Sequence, residues 1–347
     1  MVKQASTITT QVALLGGETL LGRELQDVFQ RRGTDMAVKT YSANGEGNFG
    51  EQEGEPVYIE PLDAQTVKSS LAVIVAGAPE GADKAYQLSK ETGGKTTLID
   101  CTGYLESRSE ARIVAPLGEE PEPQSNWLLV MAHPAASALA LTLTRLSSYR
   151  RMARAVVTVF EPASERGKRG ISELHQQTTS LLAFKPLDKQ VFDTQLSFNL
   201  LSQYGEEAPV QLSTVEQRIE RHLSLLLNHG AGRAAIPVPS LRLIQAPVFH
   251  GYSISLWVEF DSEAAARSVN TQQVGEALAS AQIEVRSAGE EPPTGVGAAG
   301  QSGLMAGDIR VDRNNPHAVW LWVVLDNLRV TADAAADVVR SLETNRS

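Results

Sequence analysis

The first third of the chain alternates short apolar runs with amphipathic ones, and that alternation limits the fold more than any other feature. Residues 11–15 form a short β-run, and 19–30 carry Leu20, Leu21, Leu25, Val28 and Phe29 at helical spacing. Residues 36–41 read as a second strand, ended by the polar, glycine-rich 42–54. A continuous apolar run at 71–76 predicts a buried strand, 83–91 a helix, 96–100 the next strand and 127–131 a later one. Strands separated by helices need right-handed crossovers and lie parallel in one doubly wound sheet, the Rossmann architecture.

The middle of the chain changes character. Residues 154–160 are valine-rich and strand-like, a helix is expected from about 168 to 182, and 215–227 form an amphipathic helix. Residues 240–245, 248–260 and 318–325 are β-rich and predict an antiparallel or mixed sheet, apolar on one face and helix-covered on the other. Such a sheet commonly builds a dimer interface. The proline- and glycine-rich 292–303, within a loop at 287–305, reads as flexible by composition. The last run, 330–342, is helical and is expected to pack back on the first domain. The expected division is 1–132, a nucleotide-binding domain; 133–326, an α+β dimerisation domain; and 327–347, a returning helix.

Composition excludes several function classes. A net charge of −10 argues against nucleic acid or an anionic membrane as partner. One cysteine, Cys101, leaves no internal disulfide and fits a reducing cytoplasm. No signal-peptide core and no membrane span are expected. The histidines His133, His175, His222, His229, His250 and His317 are scattered, so no metal site is expected.

Two segments carry chemistry. Gly16-Gly17-Glu18-Thr19-Leu20-Leu21-Gly22 follows the first strand and opens the first helix, a turn that lets a pyrophosphate approach a helix N-terminus. Met131-Ala132-His133-Pro134-Ala135-Ala136-Ser137 follows the apolar run 127–130 and opens a helical run over 135–146. It is the kind of strand-to-helix corner on which α/β enzymes mount a nucleophile. These segments resemble the aspartate-semialdehyde dehydrogenase family, in which the first reads Gly-x-x-Gly-x-x-Gly and the second Asn-Pro-Asn-Cys-Ser/Thr. Pro134 and Ser137 remain, and Ala136 stands at the cysteine position. The chain is similar to the cysteine-less paralogues of that family.

The resemblance extends over nearly the whole chain and lets each family role be located. Glu161, in Phe160-Glu161-Pro162-Ala163-Ser164-Glu165, stands where the family has a glutamine orienting the intermediate. In Gln245-Ala246-Pro247-Val248-Phe249-His250-Gly251-Tyr252-Ser253, Gln245 replaces the substrate arginine and Tyr252 the acid/base histidine. Glu216-Gln217-Arg218 resembles a Glu-x-Lys that holds substrate and phosphate, and Phe198-Asn199-Leu200-Leu201 and Asp326-Asn327-Leu328-Arg329 match framework segments. The resemblance implies a cleft for NAD or NADP lined by Gly16, Gly17, Thr19, Leu20, Gly22, Ser42, Ala76, Gly77, Cys101, Thr102 and Asn327. Thr19 replaces the middle glycine. The family's Ser-Arg-Ser is Ser42-Ala43-Asn44, with Glu46 nearby, so the grip on the NADP 2′-phosphate is expected to weaken.

With Ala136, Glu161, Gln245 and Tyr252 in the catalytic positions, the first expectation is a non-catalytic homodimer, or a partner for an active paralogue. A dinucleotide or metabolite sensor is the second. The third is an active NAD(P)-dependent oxidoreductase with a site rebuilt around Cys101, His250 or His133. Ser137 is expected to cap its helix.

Overall fold

The computed structural model describes residues 10–33, 36–43, 47–52, 55–115, 126–228, 236–261 and 268–344. The chain divides into two units, Met1–Ala132 with Thr331–Ser347, and His133–Val330.

In the first unit the order is β1 (Thr10–Leu15), α1 (Leu20–Arg31), β2 (Met36–Tyr41), β3 (Asn48–Gln52), β4 (Glu55–Ile59), α2 (Ala64–Ser69), β5 (Ala72–Val75), α3 (Pro79–Glu91), β6 (Thr97–Asp100), β7 (Ala111–Val114) and β8 (Leu128–Met131). Among the described residues, six strands form one sheet in the order β2-β1-β5-β6-β8-β7, and every pairing is parallel. The central strands β5 and β8 are apolar without alternation because both faces are covered. Val12, Leu14, Ile74 and Ile99 enter one core, while Ala13, Leu15, Val73 and Leu98 enter the other. The region 42–54 read as a polar connection holds β3, which pairs antiparallel with β4 just beyond it.

The second unit runs α4 (Pro134–Ser147), β9 (Met152–Glu161), α5 (Gly167–Leu182), α6 (Leu212–Asn228), β10 (Ser240–Gln245), β11 (Tyr252–Phe260), α7 (Thr271–Leu278), β12 (Ile283–Val285), α8 (Gly295–Ala298), β13 (Leu304–Val311) and β14 (Ala318–Leu325), and α9 (Asn327–Thr344) then leads back into the first unit. Its six described strands form a mixed sheet, β10-β9-β11-β14-β13-β12. The mixed character of the sheet enters at β10, which runs parallel to β9 because α5 and α6 intervene and permit a crossover. The strand expected from 248 begins at Tyr252, after Pro247 and a left-handed Gly251. The segment 292–303 is not featureless either. The Thr294 hydroxyl caps α8 (3.0 Å to Gly297 N–H), and Ala298 packs with Met305 and Val324.

On β11, Tyr252, Ile254, Leu256, Val258 and Phe260 point inward, while the alternate residues face out. Register lines up Val156, Trp257 and Trp320 in one outward row, and Thr158, Ser255 and Trp322 in the next. The indole N–H groups of Trp257 and Trp320 both donate to Asp312 Oδ2, at 2.7 and 3.1 Å, which fixes the two rings on the outward face.

Candidate functional site

In the second unit β9 and β10 end beside the start of β11, and the inward residues there are Glu161, Gln245 and Tyr252. Gln245 pairs with Glu161 across β10 and β9, and Phe160 pairs with Ser253 across β9 and β11. Because Phe160 and Ser253 face out, Glu161 and Tyr252 face in. Pro162 then ends β9, a 3₁₀ turn over Ala163–Arg166 follows, and α5 starts at the left-handed Gly167. The turn folds Glu165 and Arg166 back toward the strand ends.

The resulting cluster is buried and cross-linked. Arg166 Nη2 donates to Glu161 Oε1 at 2.5 Å, and the Tyr252 hydroxyl donates to Glu161 Oε2 at 3.3 Å. The Tyr204 hydroxyl has one proton for two acceptors, Gln245 Oε1 at 2.6 Å and Glu161 Oε1 at 3.3 Å. Gln245 Nε2 donates to the carbonyls of Glu161 and Ala246 at 2.8 and 3.0 Å. Asn327 Nδ2 donates to Glu165 Oε1 at 2.7 Å, while its Oδ1 accepts from the Ser164 hydroxyl and the Gly251 N–H, each at 3.2 Å.

His133 joins this cluster from the start of α4. Its Nδ1 accepts from the Ala135 N–H at 3.3 Å, so the neutral ring carries its proton on Nε2, 3.4 Å from the Tyr252 hydroxyl and 3.9 Å from Glu165 Oε2. His133, not Ser137, is therefore the N-cap of α4, and the expected capping role of Ser137 is corrected. Ser137 is buried one turn inside the helix. The His133 N–H donates to His222 Nδ1 at 2.9 Å, which ties the corner to α6.

Burial decides the protonation states. It pushes the His133 imidazole well below its usual range, with the Arg218, His222 and Arg166 charges acting in the same direction. Burial raises the Glu161 carboxyl against the pull of the Arg166 guanidinium. Glu165 is pushed up to about 7 by burial and by the neighbouring Glu161 charge. Burial and Glu161 also raise both tyrosine hydroxyls. The cluster holds a neutral histidine, an ion pair and a carboxyl that titrates near neutrality.

Ala136 is fully buried in the first turn of α4 and offers no heteroatom. Glu216 Oε2 accepts from the Leu243 N–H at 2.6 Å, so its carboxylate braces β10. His250 precedes β11 and is exposed, which overturns the expectation that it shares a strand face with Tyr252. The sequence reading did not single out Glu165 and Arg166 as members of this cluster, and missed Tyr204 entirely. A buried Glu161 demands a cation, and Arg166 five residues later was a readable signal. Tyr204 had none.

The first unit places its glycine turn where β1 and β5 end, at the reversal of strand order. A side chain on Gly16 would begin 2.5 Å from Gly77, and one on Gly17 the same distance from the Thr40 hydroxyl, so the chain's own packing requires both glycines. The Thr19 hydroxyl accepts from the Gly22 N–H at 2.9 Å and lies 2.8 and 2.9 Å from the carbonyls of Gly16 and Ala76, to either of which it donates. It caps α1 and leaves the amides of Leu20 and Leu21 at the helix end. Ser42 is buried in a bridge to Pro61, whereas Asn44 and Glu46 lie outside the described residues. Asp100 Oδ1 accepts from the Thr102 N–H and hydroxyl at 2.8 and 2.6 Å. Burial and Asp100 hold the Cys101 thiol well above its usual range, which leaves little thiolate. Asn327 was expected to line the nucleotide cleft, and its amide donates to Glu165 Oε1.

The glycine turn and the strand-to-helix corner together define a dehydrogenase-type α/β protein. Residues 144–330 match the family described as semialdehyde dehydrogenase, dimerisation domain, and the chain belongs to that family. A protein of Pseudomonas aeruginosa named USG-1 protein homolog is 28% identical over 316 residues, covering 90% of each chain. Aspartate-semialdehyde dehydrogenase of Rickettsia bellii is 25% identical over 331 residues, covering 92% of this chain and 93% of its own. The solved structure of a probable aspartate-semialdehyde dehydrogenase from Pseudomonas aeruginosa has a TM-score of 0.80 at 26% identity, covering 96% of this chain and 98% of that one.

Proposed function

We propose that this chain is a non-catalytic homodimer that keeps the family fold and a residual nucleotide cleft. The observation that carries this reading is the buried cluster itself: the positions of the family's glutamine, arginine and histidine are occupied by Glu161, Gln245 and Tyr252, which bond to one another through Tyr204 and to Arg166. A carboxylate at Glu161 opposes an acyl phosphate or an attacking phosphate, and Ala136 cannot form a thioester. Cys101 and His250 give no support to a rebuilt site, the first half-buried with a raised thiol and the second outside the cluster. The glycine turn suits a pyrophosphate only through Leu20 and Leu21, because Thr19 fills the middle position. Ser42 and Ala43 bring no arginine, so NADP gains nothing over NAD. The outward tryptophan-bearing face of the sheet in the second unit is the dimer face in this reading, in keeping with the family's description.

The test is phosphate-dependent NAD(P)H formation from aspartate semialdehyde, comparing the natural chain with Ala136→Cys. Both proteins are expected to lie at the background rate, because the thiol restores one role of four. Turnover by the natural chain refutes the reading. Nucleotide retention is tested by thermal shift with NAD and NADP: equal small shifts are expected, and a clear NADP preference counts against the cleft as drawn.

A further inference from the structure

The backbone passes from the first unit to the second between Ala132 and His133, and returns between Val330 and Thr331. Within the second unit, the residues beside these two passages meet one side chain. Asn327, the first residue of α9, donates from Nδ2 to Glu165 Oε1 at 2.7 Å. His133, the N-cap of α4, holds its Nε2 3.9 Å from Glu165 Oε2. Each is fixed on its far side. The Asn327 amide is oriented by its Oδ1, which accepts from the Gly251 N–H at 3.2 Å. The His133 ring accepts from the Ala135 N–H at Nδ1, and its backbone N–H donates to His222 at 2.9 Å. The turn that carries Glu165 is anchored as well: Ala163 N–H donates to the Val248 carbonyl at 2.8 Å and Ser164 N–H to that of Phe249 at 2.9 Å.

Two carboxyls share one guanidinium here, and the hydrogen bonds assign it to Glu161. Arg166 Nη2 donates to Glu161 Oε1 at 2.5 Å, whereas Nη1 donates to the backbone carbonyl of Glu165 at 3.3 Å. The Glu165 carboxyl meets two neutral donors, the Asn327 amide and the His133 ring. The Glu161 charge raises it, and the Arg166 and Arg218 charges lower it. The other titratable groups of the cluster, among the described residues, are His222 on α6, Tyr252 on β11 and Tyr204. The Glu165 side chain keeps 17% of its surface exposed, so a proton reaches it without unfolding. The His133 Nε2–H stands between two acceptors, the Tyr252 hydroxyl oxygen at 3.4 Å and Glu165 Oε2 at 3.9 Å. Both distances are longer than an ordinary hydrogen bond, so the charge of Glu165 decides between them. A carboxylate draws an N–H harder than a phenol oxygen does, and a protonated carboxyl loses that advantage.

We propose that Glu165 is a proton-operated clasp on the starts of α4 and α9. Ionised, it accepts from His133 Nε2–H and Asn327 Nδ2–H at once and joins the two helix starts through a single carboxylate. Protonated, it keeps Asn327 and releases His133 to the Tyr252 hydroxyl. The proton lost by Glu165 goes to solvent, and His133 keeps its own, because burial and the neighbouring cations hold the ring neutral. Burial and the Glu161 charge set the carboxyl at about 7, so the clasp closes as a slightly acid medium becomes slightly alkaline.

The test is nuclear magnetic resonance of the full chain, with labelled histidine and asparagine, as pH is raised from about 5 to about 9. The His133 Nε2–H signal is expected to move downfield in one step with its midpoint at about 7, while the ring keeps the pattern of a neutral imidazole. The Asn327 side-chain amide is expected to move with the same midpoint. Glu165→Gln keeps the shape of the protonated carboxyl and adds no buried charge, so loss of fold does not confuse the result. It is expected to abolish both steps and to leave the His133 signal at its low-pH position. Glu161→Gln removes the neighbouring charge and is expected to lower the midpoint. A His133 signal that is flat in the natural chain, or that titrates equally in Glu165→Gln, overturns the clasp. Titration of the Asn327 amide without that of His133 overturns it too, since the carboxyl then acts on α9 alone.

Discussion

Glu165 is a residue at which burial in the cluster has a measurable consequence. Its carboxyl moves from 4.5 to about 7 on folding, first through burial and then through the Glu161 charge. A carboxyl raised in this way favours the folded state in its protonated form. Its contribution is fully present below the unfolded value and is lost as pH rises through the folded one. The lost stability amounts to about 3 kcal/mol between pH 4.5 and pH 8. Denaturant unfolding of the natural chain and of Glu165→Gln across that range measures it. The variant is expected to gain relative stability toward pH 8, and parallel curves would refute the assignment. Beside it, Arg166→Met leaves Glu161 buried without its cation and is expected to cost about 3–5 kcal/mol. Glu161→Gln combined with Arg166→Met is expected to recover most of that loss, since no unpaired charge then remains. Urea midpoints of the single and double variants decide it, and a double variant as weak as the single one contradicts the pairing.

At the scale of elements, the local pattern explains what the sequence disclosed and what it hid. The strands β1, β5, β6 and β8 were legible because uninterrupted apolar runs bounded by helix starts have few other solutions. β3 and β4 were not, since Asn48–Gln52 is mostly polar and Glu55–Ile59 is too short for a period to show. Glu161, Gln245 and Tyr252 were singled out only through resemblance. Their meeting depends on register between strands tens of residues apart, and Tyr204 arrives on a segment without regular structure. That segment is organised by α5, through Glu173 and Gln177. Glu173→Ala removes the acceptor of two buried amides, each worth about 1–3 kcal/mol when left unpaired. Hydrogen exchange at Val191 and Phe192 is expected to accelerate by at least tenfold, with β9 and β11 unaffected. Unchanged protection there would mean that the segment is held by other means.

The whole molecule is a chain that leaves its first unit at Ala132 and returns to it at Thr331. The return is not decorative. Ala332, Ala335, Ala336, Val338 and Val339 of α9 are buried in the same core as Val12, Leu14, Ile74 and Ile99. Asp333 and Asp337 pair with Arg32, each at 2.7 Å. Burying a valine side chain is worth about 1.5–3 kcal/mol, so Val338 and Val339 alone contribute roughly 3–6 kcal/mol. That is comparable with the roughly 5–15 kcal/mol by which a domain is stable at all. The second unit ends at Val330 in this division. A chain ended at Val330 is therefore expected to lose cooperative folding in the first unit and to keep it in the second. Hydrogen exchange resolves the two: amides of β1 and β5 become unprotected, while those of β9, β11 and β14 retain their protection. Retained protection in β1 and β5 would show that the parallel sheet closes its core without the returning helix.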